Sequence, residues 1–136
     1  MASARVLVVD DFEAMRQFIC LTLRKNPSLQ VVGEACDGLE AVQKTEELQP
    51  DLIVLDLGLP KMNGIEVARQ IRKLALESKI LFFSQESDAD VVQEALSTGA
   101  LGYVLKARAE TDLLAAVAAV LENKQFVSSG LHAGRG

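Results

Sequence analysis

The chain has 136 residues, a length that suits one domain with one hydrophobic core. A hydrophobic content of 49% excludes a disordered protein, and an aromatic content of 4% without Trp requires a mainly aliphatic core. The net charge of −5 and the lack of any Lys/Arg cluster in the sequence argue against nucleic-acid binding by this segment, because contacts to phosphate backbones need clustered basic residues.

Short apolar runs alternate with helical patterns along the chain. The runs at residues 5–9, 52–55 and 79–83 predict strands buried on both faces, residues 30–36 predict a more polar strand near an edge, and residues 101–105 predict a fifth strand. The predicted helices follow at residues 12–26, from the cap residue Asp37 to about residue 48, from the cap residue Asn63 to about residue 76, from the cap residue Asp88 to the left-handed terminator Gly99, and at about residues 110–122.

The third of these strands carries a carboxylate at its carboxyl end. Asp56 ends the aliphatic run 52–55, and Gly58 and Pro60 then break the chain into a loop. Open α/β sheets bind their ligands at this edge, but a strand-end Asp is also common in ordinary turns. Taken alone, Asp56 therefore leaves a ligand-binding and a turn-capping interpretation open.

Five strand units that alternate with five helical units predict an α/β fold. Strands joined by helical crossovers are parallel and connected with right-handed turns. We therefore expect a doubly wound (βα)5 three-layer sandwich of the flavodoxin-like type, with the strand order 2-1-3-4-5. The first and third strands are neighbours in this order, so that their carboxyl ends lie side by side.

Polar residues follow four of the predicted strands. Asp10 and Asp11 follow the first strand, Asp56 the third, Ser84 the fourth and Lys106 the fifth. Two carboxylates about 4 Å apart repel by roughly 4 kcal/mol at an effective dielectric near 20, and a Mg²⁺ ion would relieve that repulsion. A carboxylate nucleophile, a metal and a lysine are the parts needed for in-line phosphoryl transfer to an aspartate.

These motifs resemble the receiver domain of bacterial response regulators, the phosphorylated partners in two-component signalling. The resemblance covers about residues 5–123, and it implies a receiver domain at residues 1–124 followed by a flexible tail or the start of a linker at residues 125–136. The segments that carry it are Val-Val-Asp-Asp at 8–11, Asp-Leu-Ile-Val-Leu-Asp-Leu-Gly-Leu-Pro at 51–60, Asn-Gly at 63–64, Phe-Ser at 83–84 and Gly-Ala-Leu-Gly-Tyr-Val-Leu-Lys at 99–106.

By this resemblance Asp56 is the phospho-acceptor and takes part in a Mg²⁺ site. Asp11 is then a direct metal ligand, Asp10 acts nearby or through water, and Gly58 offers its backbone carbonyl. The phosphoryl group would come from a sensor histidine kinase or a phosphotransfer protein. The domain would assist its own phosphorylation and dephosphorylation without being an enzyme in the usual sense.

The resemblance also implies a conformational switch. Ser84 would bond the phosphoryl oxygens, Lys106 would pair with them, and Tyr103 would turn its ring inward as Ser84 moves toward the phosphate. The expected readout surface comprises the fourth helix, the fifth strand and the fifth helix. It would control an output, with transcription as the expectation, because the ending at residues 102–107 and the segment 126–129 are similar to the branch with helix-turn-helix DNA-binding output.

Three positions depart from the usual pattern of the family. Gln85 stands after Ser84 in place of a small residue, and its long side chain should lengthen the life of the phosphoryl group by crowding the attacking water. Ala107 replaces a proline that is often cis, so we expect a trans peptide after Lys106. Leu59, in place of the commoner Met, is a conservative change.

Other functions stay open from the sequence. A stand-alone or non-phosphorylated receiver would act as a protein-interaction module of the same fold. A haloacid dehalogenase-type phosphatase is less favoured, because Gly58 occupies the position of its second Asp. Flavin binding is also disfavoured, since no phosphate-cradling loop follows the first strand.

Several expectations concern the surroundings of the chain. It should be cytoplasmic and make no membrane contact, because neither a signal peptide nor a membrane-spanning run is visible. It could form a homodimer through the readout surface or an apolar helix face, and it would reach DNA only through an output domain outside this chain. Cys20 and Cys36 should both be small buried residues, and His132 should have no catalytic role.

Overall fold

Strands and helices alternate along the chain as the sequence predicts. The computed structural model describes residues 3–75, 77–129 and 131. The strands are β1 (Ala4–Val9), β2 (Leu29–Ala35), β3 (Leu52–Leu55), β4 (Lys79–Ser84), β5 (Gly102–Leu105) and β6 (Phe126–Val127). The helices are α1 (Glu13–Leu23), α2 (Gly38–Leu48), α3 (Gly64–Leu74), α4 (Ala89–Leu96) and α5 (Ala109–Leu121), and a 3-10 turn at Lys106–Arg108 joins β5 to α5.

The strands form one parallel sheet with the order β2-β1-β3-β4-β5-β6. The predicted order 2-1-3-4-5 is confirmed, and β6 extends the sheet by one strand. The register pairs Val9 of β1 with Leu55 of β3, and Ser84 of β4 with Leu105 of β5. Because all strands run in the same direction, the residues that follow β1, β3, β4 and β5 meet at one edge of the sheet.

The sixth strand differs from the sequence interpretation, which assigned residues 125–136 to a flexible tail or linker. Phe126 and Ser128 donate their N–H groups to the carbonyls of Leu101 and Tyr103, each over 3.0 Å, so this part of the segment is anchored to β5. A strand of two residues has too short a pattern to be recognised from periodicity. His132 lies outside the described residues, and the exact domain boundary stays a prediction.

Apolar layers cover both faces of the sheet, which explains the unbroken aliphatic runs. Leu7, Val9, Ile53, Leu55 and Phe82 belong to one buried cluster, which includes residues of α2, α3 and α4. The alternate residues of the same strands belong to a second cluster with α1 and α5. Central parallel strands bury side chains on both faces, and the fold is therefore the predicted three-layer sandwich.

Local sequence patterns predicted the starts of three helices correctly but not the start and end of α1. The predicted caps Asp37, Asn63 and Asp88 each accept backbone N–H bonds from the first turn of α2, α3 and α4. Helix α1 instead begins after Phe12 without a side-chain cap and ends at Leu23, three residues before the predicted end. Beyond Leu23 the chain tightens into turns in which N–H groups bond to carbonyls three residues back.

The two cysteines differ from each other in exposure. Cys20 is buried in the cluster under α1, as predicted. Cys36 is exposed, so the prediction of a buried residue is wrong there. It follows the edge strand β2, and its N–H donates over 2.8 Å to Glu40, a bond that holds it in the turn before α2.

Two further expectations concern the whole described chain. Among the residues that the structure describes, no helix is long and apolar enough to cross a membrane. The same residues contain no cis peptide bond, and the peptide between Lys106 and Ala107 is trans as predicted.

Candidate functional site

Three carboxylates converge at the carboxyl edge of the sheet. Asp10 and Asp11 follow β1, Asp56 follows β3, and one carboxylate oxygen of each lies within 4.8 Å of the others. Asp10 and Asp56 are buried, with exposed fractions of 1% and 7%, and Asp11 is exposed. The adjacency of β1 and β3 in the sheet is therefore the feature that brings the predicted carboxylates together.

Backbone contacts fix the direction of the two buried carboxylates. Asp10 Oδ1 accepts the N–H of Phe12 over 2.9 Å, an Asx-type turn that holds the carboxylate at the start of the loop. The guanidinium of Arg16 donates to the carbonyl of Asp10 over 2.9 Å and so braces the same turn. Asp56 donates its own N–H to the carbonyl of Val9 over 3.1 Å, which continues the pairing of β1 with β3.

Lys106 reaches these carboxylates from β5. Its Nζ lies 2.8 Å from Asp10 Oδ2 and 3.4 Å from Asp56 Oδ2, and its side chain is only 17% exposed. The ammonium also lies 6.0 Å from the centre of the Phe83 ring, the limit of a cation–π contact. One cation therefore faces at least two anions in a partly buried position.

The charges of the site do not balance. Asp10 and Asp56 repel by at least about 3.5 kcal/mol at 4.8 Å and an effective dielectric of 20. The pairing of Lys106 with Asp56 at 3.4 Å contributes about 5 kcal/mol of attraction on the same scale, but the one ammonium is shared. Asp11 adds a further negative charge, so the pocket has an excess of carboxylate.

The pKa values follow from this imbalance. Burial raises the pKa of Asp56, Lys106 acts to lower it, the charge of Asp10 raises it again, and the net shift is upward. For Lys106, burial acts to lower the pKa, but the hydrogen bond to Asp10 and the charges of both carboxylates outweigh it and raise the pKa. Both shifts can be upward because one lysine neutralises only part of the surrounding negative charge.

A close approach of two backbones sets the position of Asp56. Gly64, the first residue of α3, lies so near the carbonyl of Asp56 that an added Cβ would collide with it and with Leu57 Cα. The N–H of Gly64 donates to the carbonyl of Leu57 over 2.8 Å. Only glycine permits this contact, and sequence reasoning used Asn63-Gly64 as a motif without finding this reason for it.

Gly58 and Gln85 border the same cavity as the carboxylates. Gly58 is exposed two residues after Asp56, and a side chain at this position would meet nothing within 4 Å. Gln85 is exposed directly after Ser84. The cavity has a volume of about 720 Å³, and its lining includes Asp10, Asp11, Asp56, Ser84, Gln85 and Lys106.

Ser84 and Tyr103 meet through a residue that sequence reasoning missed. Ser84 is buried at the end of β4, and its Oγ accepts the N–H of Glu86 over 3.1 Å. Tyr103 is fully buried beside Phe82, and its hydroxyl donates to the carbonyl of Glu86 over 2.7 Å. The ring is therefore already turned inward, and backbone groups of Glu86 join the two predicted switch residues.

The environment of Tyr103 also shifts its ionisation. Burial raises the pKa of Tyr103 to about 12, since the phenolate would lose its hydration, and the charges of Glu86 and Asp56 act in the same direction. Tyr103 thus stays a hydroxyl donor throughout the neutral range.

The predicted residues thus fall into one connected site. The carboxylates of Asp10, Asp11 and Asp56 lie close together, Lys106 pairs with Asp10 and Asp56, and Ser84 and Gln85 border the same cavity. The donor set consists of carboxylate oxygens, which suits a hard cation such as Mg²⁺ better than a soft metal. A parallel α/β domain that brings a buried aspartate, two further carboxylates, a lysine and a hydroxyl to one sheet edge has the groups that phosphoryl transfer to an aspartate requires.

Comparison with known proteins defines the family. Residues 6–118 match the response regulator receiver domain, and the chain belongs to this family. It is 36% identical over 128 residues to the nitrate/nitrite response regulator protein NarL of Escherichia coli K12, an alignment that covers 94% of this chain and 59% of NarL. The transcriptional regulatory protein LiaR of Bacillus subtilis is 35% identical over 125 residues, with 92% of this chain and 59% of LiaR covered.

A solved structure supports the same assignment. The crystal structure of a two-component response regulator of the LuxR family from Aurantimonas sp. SI85-9A1 superimposes with a TM-score of 0.90 at 34% identity. The match covers 94% of this chain and 91% of that one. The chain spans less than two thirds of the curated regulators NarL and LiaR, 59% of each, so the activity of a whole regulator is a separate question.

Proposed function

We propose that this domain accepts a phosphoryl group on Asp56 and acts as a phosphorylation-controlled switch. The observation that carries the proposal is the position of Lys106 Nζ, 2.8 Å from Asp10 and 3.4 Å from Asp56 at the mouth of a cavity bordered by Ser84. An ammonium and a hydroxyl beside one carboxylate are suited to the oxygens of an incoming phosphoryl group. Of the three carboxylates, Asp56 is the one that follows β3, the strand beside the one that ends in Ser84, and it also pairs with Lys106.

The proposed donor is a phosphohistidine of a sensor kinase or phosphotransfer protein. A carboxylate oxygen of Asp56 attacks the phosphorus, the N–P bond of the donor breaks, and the imidazole leaves with the electron pair and takes up a proton. Lys106 pairs with the transferred oxygens, and Ser84 exchanges its bond with Glu86 for one to the phosphoryl group. Burial and the charge of Asp10 raise the pKa of Asp56, so positive charge at the site, from Lys106 and a bound cation, favours the ionised carboxylate that attacks.

Mg²⁺ is the proposed cofactor, and the residues present suit it. Asp10, Asp11 and Asp56 would hold the ion with carboxylate oxygens, and Gly58 would offer its backbone carbonyl. The bound ion would supply positive charge that stabilises the attacking carboxylate and the phosphoryl oxygens. Asp11 is the exposed member of the set and the proposed direct ligand. The oxygens of Asp10 already accept hydrogen bonds from Lys106 and from the N–H of Phe12.

The proposed conformational switch involves Ser84 and Tyr103, which are connected through the backbone of Glu86. Movement of Ser84 toward the phosphoryl group would release Glu86 N–H and change the loop that Tyr103 holds through the same residue. The loop leads directly into α4, so α4, β5 and α5 form the proposed readout surface. By analogy with the transcriptional relatives, we propose control of transcription in the cytoplasm, with DNA contact only through a further domain and with a homodimer as a possible active form.

Mass spectrometry tests the proposal directly. Incubation with acetyl phosphate and Mg²⁺ should add the mass of one phosphoryl group, as acetate leaves from the P–O bond that breaks. Asp56→Asn should abolish the adduct, whereas Asp90→Asn, an exposed carboxylate in the first turn of α4, should leave it unchanged. Sustained turnover of phosphate esters would indicate a phosphatase instead, and no adduct at any Mg²⁺ concentration would contradict the proposal.

A further inference from the structure

Strand β6 is attached to β5 by a buried side chain as well as by its backbone. The residue after β6, Ser128, is 1% exposed. Its Oγ accepts the N–H of Leu105 over 3.1 Å and donates to Asp112 Oδ2 over 2.7 Å, while its N–H donates to the carbonyl of Tyr103 over 3.0 Å. A buried hydroxyl with both its donor and its acceptor function engaged restricts the positions of all its partners.

Asp112, in the first turn of α5, collects the other contacts. Its Oδ2 accepts from Arg108 Nε over 3.1 Å as well as from Ser128, and its Oδ1 accepts from Thr111 over 3.1 Å. Burial acts to raise the pKa of Asp112, but the hydrogen bonds from Ser128, Arg108 and Thr111 outweigh it, and the pKa is lowered. The carboxylate is therefore ionised and able to hold both the hydroxyl and the guanidinium.

These contacts enclose the turn that bears Lys106. We call the set of Leu105, Arg108, Asp112 and Ser128 the Ser128 clasp. The clasp binds the backbone one residue before Lys106, through the N–H of Leu105, and binds the side chain two residues after it, through Arg108. Ser128 and Asp112 close the loop between these two points. The 3-10 turn Lys106–Arg108 is thus held on both sides by one hydroxyl–carboxylate pair.

The lysine depends on this support because it reaches far from its strand. In the sheet order, β4 and β3 lie between β5 and β1, yet Nζ meets Asp10, which follows β1. Neighbouring strands lie about 4.8 Å apart, so a side chain that reaches across two of them has little spare length with which to compensate for a displacement of its backbone, and such a displacement would shift the ammonium from between the two carboxylates. Misplacement of a reacting group by about 1 Å can reduce a rate about 100-fold.

We propose that Ser128 is a positioning residue for phosphorylation of Asp56, acting through the Ser128 clasp on the backbone that carries Lys106. The inference rests on the proposed function of Asp56 as phospho-acceptor. The same hydroxyl also attaches Ser128, the residue after β6, to Leu105 and Asp112. Attachment of this segment to the sheet and placement of the Lys106 ammonium therefore depend on each other.

The experiment compares Ser128→Ala with Ser129→Ala. Ser129 is the exposed neighbour and serves as the matched control. Two quantities are measured for each variant, namely the rate constant of Asp56 phosphorylation at saturating acetyl phosphate and Mg²⁺, and the Mg²⁺ affinity from an amide NMR titration. We expect Ser128→Ala to react about tenfold more slowly with a Mg²⁺ affinity within about twofold of the parent, because the clasp moves Lys106 and not the carboxylates. Ser129→Ala should match the parent in both.

Two results would overturn the inference. A parental rate in folded Ser128→Ala would show that the clasp does not position Lys106. An equal fall in rate and in Mg²⁺ affinity would show general loosening of the domain. If Ser128→Ala does not fold, Asp112→Asn takes its place, since it keeps an acceptor oxygen for Ser128 and weakens the bond to Arg108. It should slow phosphorylation with Mg²⁺ affinity unchanged, and a parental rate would overturn the inference in the same way.

Failure of the proposed function gives a different result. In that case the parent itself forms no adduct at Asp56. The inference is then tested on exchange of the Lys106 ammonium protons with water, measured by NMR without a phosphoryl donor. Exchange should be slow in the parent and in Ser129→Ala, where Nζ donates to Asp10, and at least several-fold faster in Ser128→Ala. Equal exchange in all three proteins would overturn the inference.

Discussion

Removal of the charge on Asp56 should stabilise the metal-free protein. The carboxylate gains about 5 kcal/mol from Lys106 at 3.4 Å, loses about 3.5 kcal/mol to Asp10 within 4.8 Å, and loses several kcal/mol more through burial. With a burial cost of about 3.5 kcal/mol, in the range of several kcal/mol for a buried ion, the balance is unfavourable by about 2 kcal/mol, in agreement with the upward direction of its pKa. Asp56→Asn keeps the shape of the side chain and removes this cost, so the free energy of unfolding should rise by about 2 kcal/mol.

The upward pKa shift of Asp56 also predicts how the stability difference between Asp56→Asn and the parent changes with pH. Because the folded-state pKa of Asp56 is raised above its unfolded value, its contribution to stability is fully present in acid and is lost as the pH rises through the folded pKa. The advantage of Asp56→Asn should therefore appear at neutral pH and vanish at acidic pH.

Urea unfolding with EDTA, followed by circular dichroism at neutral and at acidic pH, measures the effect. Asp90→Asn is the control, as an exposed carboxylate outside the cluster. The melting temperature of Asp56→Asn should be higher than that of the parent by about 6 °C, and saturating Mg²⁺ should reduce the difference by stabilising the parent. A parent that is more stable than Asp56→Asn at neutral pH without Mg²⁺ would refute the charge balance derived from these distances.

Three other variants test separate parts of the site. Gln85→Ala should shorten the life of the phosphoryl group by opening the cavity to water, and an unchanged or slower loss of phosphate, followed by mass spectrometry, would contradict the role of the side chain. Tyr103→Phe should lower the free energy of unfolding by about 1 kcal/mol and speed hydrogen exchange in the loop at Glu86, because it removes one hydrogen bond and keeps the ring. Gly64→Ala should cost more than about 2 kcal/mol in urea unfolding and slow phosphorylation, because its Cβ would displace the backbone of Asp56; a cost below about 0.5 kcal/mol would contradict that contact.

The central part of the fold followed from local patterns. Unbroken aliphatic runs mark strands that are buried on both faces, and their alternation with helices points to a doubly wound sheet, for which 2-1-3-4-5 is a common order. The adjacency of β1 and β3 is enough to predict that Asp10 and Asp56 lie close together. Lys106 follows β5 at the same edge of the sheet, which predicts its position near them. The caps at Asp37, Asn63 and Asp88 are likewise local, because each needs only its own first turn.

The features that the sequence did not reveal depend on tertiary contacts. β6 forms because two backbone N–H groups find acceptors on β5, and Ser128 is buried because Asp112 and Leu105 meet there. The link between Ser84 and Tyr103 passes through backbone atoms of Glu86, which carry no side-chain signal. Cys36 is exposed in the turn between the edge strand β2 and α2, and the predicted edge position of the strand did not by itself show the exposure of the residue that follows it.

The contacts of β5 indicate how phosphorylation of Asp56 would change the surface of the domain. A phosphoryl group adds a charge of about −1.5 to −2, which would compete with Asp10 for the ammonium of Lys106. A resulting displacement of β5 would affect Tyr103, which is bonded to the loop before α4, and Ser128, the residue after β6, which is bonded to Leu105 of β5 and to Asp112 of α5. If Asp56 is phosphorylated as proposed, these contacts would link it to the surface by two routes, one through Glu86 and one through Ser128. Because the routes use different hydrogen bonds on the same strand, Tyr103→Phe and Ser128→Ala should impair them separately.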